Sequence, residues 1–170
     1  MKLNDWHQNR ISRLVVKKLF GTVCGKKISV LGFAFKANTN DTRESAAIKI
    51  CKDLLNEGAI LYIHDPKVTP KQIYKVLEIP ESNYKETSKE NDLNNEGSWH
   101  FISNISDGFK DSDAAIILTE WKEYSKINWN NASKMMRQPS WVFDTRSIIS
   151  TENLKENNFN FWKIGDGTLT

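Results

Sequence analysis

Lys26-Lys27-Ile28-Ser29-Val30-Leu31-Gly32, a polar loop, Asp41-Thr42-Arg43-Glu44, and then Ala46, Ala47, Ile50, Cys51, Leu54 and Leu55 decide the architecture. The β-branched run that ends in glycine reads as a buried strand. Asp41 and Glu44 have the acid-x-x-Glu spacing of a capping box, and the apolar residues after them recur at helical spacing up to a stop at Gly58. Ala59 to Ile63 predicts a second strand, which His64-Asp65-Pro66 ends because proline cannot continue a ladder. Strand, helix and strand in close succession make a parallel βαβ unit.

The same alternation extends in both directions. Upstream, Ile11, Leu14, Val15 and Leu19 form one face of a helix over Asn4 to Leu19, stopped at Gly21, with Arg10, Arg13, Lys17 and Lys18 on a solvated face. Downstream, helices are predicted at Thr69–Leu77, Ile105–Lys110, Asn130–Arg137 and Glu152–Glu156. Strands are predicted at Asp113–Thr119, Trp141–Phe143 and Phe159–Ile164. Residues 80–99 carry Asn, Glu, Lys and Ser without apolar period and read as a surface insertion. The expected fold is α/β: a doubly wound, Rossmann-like, mostly parallel sheet with helices on both faces, preceded by an N-terminal helix. It forms one domain over residues 1–170, with the leading helix in 1–25 and the core in 26–165.

Composition limits the function classes. A chain of 170 residues buries about 70% of its surface on folding and needs no staples. Two cysteines are too few for a disulfide scaffold, and with no apolar leader after Met1-Lys2 they imply a reducing cytoplasm. No apolar run approaches bilayer length, so no membrane span is expected. The net charge of +3 is small and scattered, which argues against nucleic acid. His7, His64 and His100 share no ligand-like spacing with one another or with the cysteines, so no metal site is expected.

Ligands of a doubly wound sheet bind where strands end. The relevant segments are Gly32 to Glu44, Thr119-Glu120-Trp121 and Asp144-Thr145-Arg146. The first holds one glycine where a dinucleotide fingerprint holds three, so side chains such as Lys36 and Arg43 must do the anion work. Asp65 stands where such folds place a ribose-binding acid, but Asp-Pro is also an ordinary strand stop, the reading preferred here. Trp121 and Trp141 lie beside strand ends and could face a base or anchor the core.

The segment Gly32-Phe33-Ala34-Phe35-Lys36-Ala37-Asn38-Thr39-Asn40-Asp41-Thr42-Arg43-Glu44-Ser45 resembles the signature that opens the C-terminal domain of UDP-glucose 6-dehydrogenases. Asn4-Asp5-Trp6, His64-Asp65-Pro66-Lys67-Val68, Leu118-Thr119-Glu120-Trp121 and Phe143-Asp144-x-Arg146 resemble further segments of that family in the same order. The resemblance implies that Phe35, Lys36 and Arg146 contact a UDP-sugar and that Arg43 contacts NAD held by an N-terminal domain. Thr145 stands where the family usually has glycine, and a β-branched residue resists positive φ, so the loop there is expected to differ.

By the same resemblance, the parent enzyme oxidises UDP-glucose to UDP-glucuronate in two NAD-dependent hydride transfers through a cysteine, and it assembles as a homo-oligomer. Cys24 and Cys51 lie in no such glycine-flanked motif, so this chain is expected to be a fragment with no catalytic residue of its own. The rivals are the C-terminal domain of a UDP-N-acetylmannosamine or GDP-mannose dehydrogenase, and a stand-alone nucleotide-sugar-binding module.

Overall fold

The computed structural model of the chain describes residues 2–82 and 96–165. Helix α1 (Lys2–Lys18) leads into strand β1 (Lys27–Leu31), α2 (Ala46–Asn56), β2 (Ile60–His64), α3 (Pro70–Leu77) and β3 (Ser98–Phe101). Helix α4 (Ile105–Phe109), β4 (Ala114–Ile117), a 3-10 turn over Lys122–Lys126, α5 (Trp129–Met135), β5 (Trp141–Asp144), α6 (Thr151–Glu156) and β6 (Asn160–Lys163) follow. The six strands form one sheet in the order β3-β2-β1-β4-β5-β6. Every neighbouring pair is parallel. This is the doubly wound fold expected from the sequence, with its order reversing between β1 and β4.

Right-handed crossovers place α2 and α3 on one face and α4, α5 and α6 on the other. Helix α1 packs on α2. The central strands are apolar because helices cover both their faces: Ile28 to Leu31 and all of β4 are buried. Trp99, Trp129, Phe33 and Phe143 fill the layers on either side. Trp99 also donates its indole N–H to the Ile79 carbonyl at 2.8 Å, which satisfies the one polar atom it buries. Truncating a side chain so enclosed costs roughly 3–5 kcal/mol.

Two local expectations are corrected. The expected insertion over 80–99 gives way at Ser98 to strand β3, in which Trp99 and His100 are buried; residues 83–95 lie outside the described residues. Ahead of them, the Ser82 amide donates to the Trp99 carbonyl at 2.9 Å and Glu81 accepts from the Phe101 amide at 2.7 Å. A short strap thus occupies the open edge of the sheet.

The second correction concerns the start of α2. Asp41 and Glu44 form no capping box. The N-cap is Ser45, whose hydroxyl accepts from the Ala47 amide, while Glu44 has φ +58° and lies outside the helix. Asp41 is engaged elsewhere, by the amide and guanidinium of Arg43. By contrast Thr69 and Gln72 do form a capping box at the start of α3.

Candidate functional site

The carboxyl ends of β1, β4 and β5 are adjacent, and the residues that follow them are pinned to one another. Gly32 leaves β1 with φ +96° and donates its amide to the His64 carbonyl at 2.8 Å. A Cβ at this glycine would lie 2.4 Å from Thr119 Cβ, so the turn passes directly against the end of β4. Beyond it, the Phe33 carbonyl accepts from the Ser45 hydroxyl and the Ala34 carbonyl from the Thr119 hydroxyl, both at 2.8 Å. The Phe35 amide donates to the Asp41 carbonyl at 2.8 Å and closes the loop. Phe35 is 46% exposed, and the exposed Lys36 side chain has no hydrogen bond or ion pair with any described residue. A rigid turn therefore presents an aromatic ring and an ammonium group to solvent.

Arg146 stands across β4 from that turn, on the connection after β5. Two parallel strand spacings separate the backbones of β1 and β5 by about 10 Å. Its Nε donates to the Leu118 carbonyl at 2.9 Å and lies 3.4 Å from Glu120 Oε2. That oxygen is buried without any hydrogen bond, so the guanidinium supplies its counter-charge. Apart from that ion pair, the terminal amino groups of Arg146 form no hydrogen bond with any described residue, which leaves planar donors for a ligand.

The backbone beneath Arg146 is held by Asp144. This fully buried carboxylate accepts from the amides of Arg146, Ile148 and Ile149 at 3.1, 2.9 and 2.8 Å. Thr145 causes none of the expected conflict. The positive φ of this loop falls on Ser147, at +58°, and the Thr145 hydroxyl donates to the Ile117 carbonyl at 2.6 Å. The β-branched residue adds an anchor instead of straining the turn.

Phe35, Lys36 and Arg146 thus lie at the same, carboxyl end of the sheet, on the connections after β1 and β5 with β4 between them. Arg43 is set apart on the same connection, 88% exposed and paired with Asp41 at 2.8 Å. The Arg43 side chain and amide, both donating to Asp41, hold the carboxyl well below its ordinary range, at about 2.

Sequence reasoning singled out Asp65 and the segments holding Thr119, Glu120 and Asp144, but missed that these groups hold the site, and it preferred to read Asp65 as a strand stop. The available signal was an acidic residue at a strand end, at both Asp65 and Asp144. Trp121 is core: it is buried and donates its indole N–H to Asp65 at 3.2 Å. Trp141 stacks on Phe143 within β5.

Next to the site, His64 closes the end of β2. Its Nδ1 lies 3.0 Å from the Tyr124 hydroxyl, which is also 3.1 Å from the His64 carbonyl. Burial pushes the imidazole below its ordinary value, against the pull of Glu123 and Asp65. His64 lines a cleft of about 440 Å³ together with Asn104, Phe109, Glu123 and Asn131. Of the two thiols, Cys51 is buried and pushed far up by desolvation, while Cys24 is exposed. Among the described residues no group of His, Cys, Asp and Glu could hold a metal ion, and no helix is long and apolar enough to cross a membrane.

Comparison with known proteins identifies the family and the fold. A family model described as the UDP-glucose/GDP-mannose dehydrogenase family, UDP binding domain, matches residues 29–151. UDP-glucose 6-dehydrogenase 1 of Arabidopsis thaliana is 35% identical over 168 residues, covering 97% of this chain and 35% of that protein. The UDP-glucose 6-dehydrogenase of Drosophila melanogaster is 37% identical over 163 residues, covering 96% and 33%. The chain spans about a third of the length of these curated relatives. Among solved structures, a UDP-glucose dehydrogenase from Pyrobaculum islandicum shares the fold with a TM-score of 0.62 at 21% identity, over 92% of this chain and 29% of that one. A UDP-D-ManNAc dehydrogenase from Pyrococcus horikoshii does so at 0.67 and 22%, over 97% and 31%.

Proposed function

Because the chain belongs to the UDP-glucose/GDP-mannose dehydrogenase family and corresponds to its UDP binding domain, we propose that its strand-end edge holds the diphosphate of a UDP-sugar. The observation that carries this reading is a pair of cationic groups, the Lys36 ammonium without a partner among the described residues and the Arg146 guanidinium anchored by Leu118 and Glu120, on rigid turns two strands apart at the carboxyl end of the sheet. A planar fork and a point charge together match a diphosphate. Both turns are held by buried hydrogen bonds, so little ordering remains to be done on binding. Phe35 offers an aromatic face beside the ammonium.

The substrate of the whole protein is UDP-glucose, the compound named in the curated relatives, and the resemblance noted in the sequence implies its oxidation to UDP-glucuronate with NAD as hydride acceptor. This chain contributes no catalytic residue and works with an N-terminal domain that holds the dinucleotide, within a homo-oligomer in the cytoplasm. Residues 1–170 act as one unit, with residues 26–165 as the binding core. The β1 turn fits NAD poorly on its own: it has one glycine, and its first amides are already bonded to a side chain. Arg43 is the group suited to reach NAD, because its guanidinium is 88% exposed.

Thermal unfolding of the chain with millimolar UDP, UDP-glucose, GDP-mannose or NAD tests the reading. A ligand at about 100 times its dissociation constant adds about 2.7 kcal/mol and raises the midpoint by several degrees. Shifts are expected with UDP and UDP-glucose, and none with GDP-mannose. A shift with GDP-mannose alone would place the chain with the guanosine-nucleotide branch of the family.

A further inference from the structure

Asp65 follows β2 at the place where dinucleotide folds put a ribose-binding acid. Here it is only 4% exposed and faces the protein. Oδ2 accepts from the amides of Phe33 at 2.8 Å and Ala34 at 3.0 Å, and from the Trp121 indole at 3.2 Å. Oδ1 accepts from the amides of Lys67 at 2.8 Å and Val68 at 2.9 Å. One carboxylate therefore joins the connections after β1, β2 and β4, and none of its five donors is a cationic side chain.

In a dinucleotide fold the amides at the turn after the first strand receive a diphosphate. The corresponding amides here receive a side chain of the same protein. We propose that Asp65 is a built-in anion: it fills the amide nest of the β1 turn in place of a ligand phosphate, and so acts as a positioning residue for Phe35 and Lys36. A carboxylate suits this task because hydrogen bonds from amides to an ionised acceptor are short and strong. With both amides and both carbonyls of Phe33 and Ala34 bonded, the chain can leave the turn in one direction only. The nest is closed to an incoming phosphate, which must bind outside it on side-chain cations.

The part of the proposal that concerns Phe35 and Lys36 rests on the UDP reading above; the anion nest itself does not. The experiment compares the chain with its Asp65→Ala and Asp65→Asn variants in formate and in chloride at equal ionic strength. Three quantities are measured: the melting midpoint, the amide shifts of Phe33 and Ala34, and the affinity for UDP. In Asp65→Ala, formate and not chloride should raise the midpoint and return both amides toward their wild-type shifts. UDP affinity should fall at least tenfold and recover in part with formate.

Asp65→Asn, similar in volume but uncharged, should lose UDP affinity and ignore formate. An Asp65→Ala protein indifferent to formate in midpoint and amide shifts overturns the proposal. So does unchanged UDP affinity in both variants. If Asp65→Ala does not fold, Asp65→Asn decides: both the amide shifts and the affinity move if the nest needs the charge, and neither moves if it does not. If the wild-type chain binds no UDP, the functional reading fails, and the formate response of the two amides alone judges the nest.

Discussion

Replacing Gly32 by alanine perturbs the site at the point where two strand ends touch. The residue has φ +96°, and a Cβ there would sit 2.4 Å from Thr119 Cβ, 2.5 Å from its Oγ1 and 2.8 Å from its backbone nitrogen. Thr119 cannot turn aside cheaply, because its hydroxyl is bonded to the Ala34 carbonyl at 2.8 Å. An L side chain forced to positive φ costs about 1–2 kcal/mol, and overpacking a rigid site adds about 1–3 kcal/mol. The sum, about 2–5 kcal/mol, is a large part of the roughly 5–15 kcal/mol that holds a typical domain. The melting midpoint should fall by roughly 4–20 °C.

Urea unfolding is the better assay, since a lower midpoint at unchanged slope reports stability alone. The same substitution in a Thr119→Gly background should cost less, because only the backbone contact and the φ strain remain. A Gly32→Ala protein within about 0.5 kcal/mol of the parent, the ordinary range of a neutral surface change, would refute the close approach of β1 and β4.

Four further outcomes are expected. Arg43→Ala should return the Asp41 carboxyl from about 2 to the ordinary aspartate range, read by carbon NMR. Any stability this pair gives is present above the ordinary aspartate value, lost as pH falls through about 2, and weakened by salt. His64 and His100 are both held below their ordinary value, chiefly by burial, so the unfolded chain takes up protons first on acidification. Stability should fall as pH drops below about 6.5, and the double variant His64→Gln, His100→Gln should flatten that slope in urea titrations at a series of pH values. Arg146→Lys keeps the charge but loses the anchored fork, and calorimetry should show UDP binding about tenfold weaker at near-wild-type stability. Thr145→Gly removes the hydroxyl bond to Ile117 and should destabilise the fold by about 1 kcal/mol in the same urea assay.

The sequence made the frame of the molecule legible because periodicity and punctuation agree there. Ile28 to Gly32, the apolar face of α2 and the run through β4 admit few alternatives, and the strand ends they define lead to Phe35, Lys36 and Arg146. Strand β3 was hidden for a physical reason. It has four residues, Ser98 to Phe101, follows a long polar stretch, and gains its place from the burial of Trp99 and from a strap on its open side. The capping box failed because Asp41 found a closer partner in Arg43, a competition between side chain and backbone that spacing does not reveal. The roles of Asp65 and Asp144 were invisible because most of their partners are backbone amides. Phe33 lies 32 residues before Asp65 and comes beside it only when β1 and β2 pair. Tertiary contacts, and no local pattern, turn those two acids into anchors.

Titration of UDP into isotopically labelled chain, followed by backbone amide shifts, tests the central claim most directly. The account expects saturable shifts concentrated on residues 33–36 and 144–148, at the two turns that carry Lys36 and Arg146. It expects those shifts to disappear in the double variant Lys36→Ala, Arg146→Ala. Saturable shifts confined to the cleft around His64, Asn104 and Asn131, or shifts at the two turns that persist in the double variant, would contradict it.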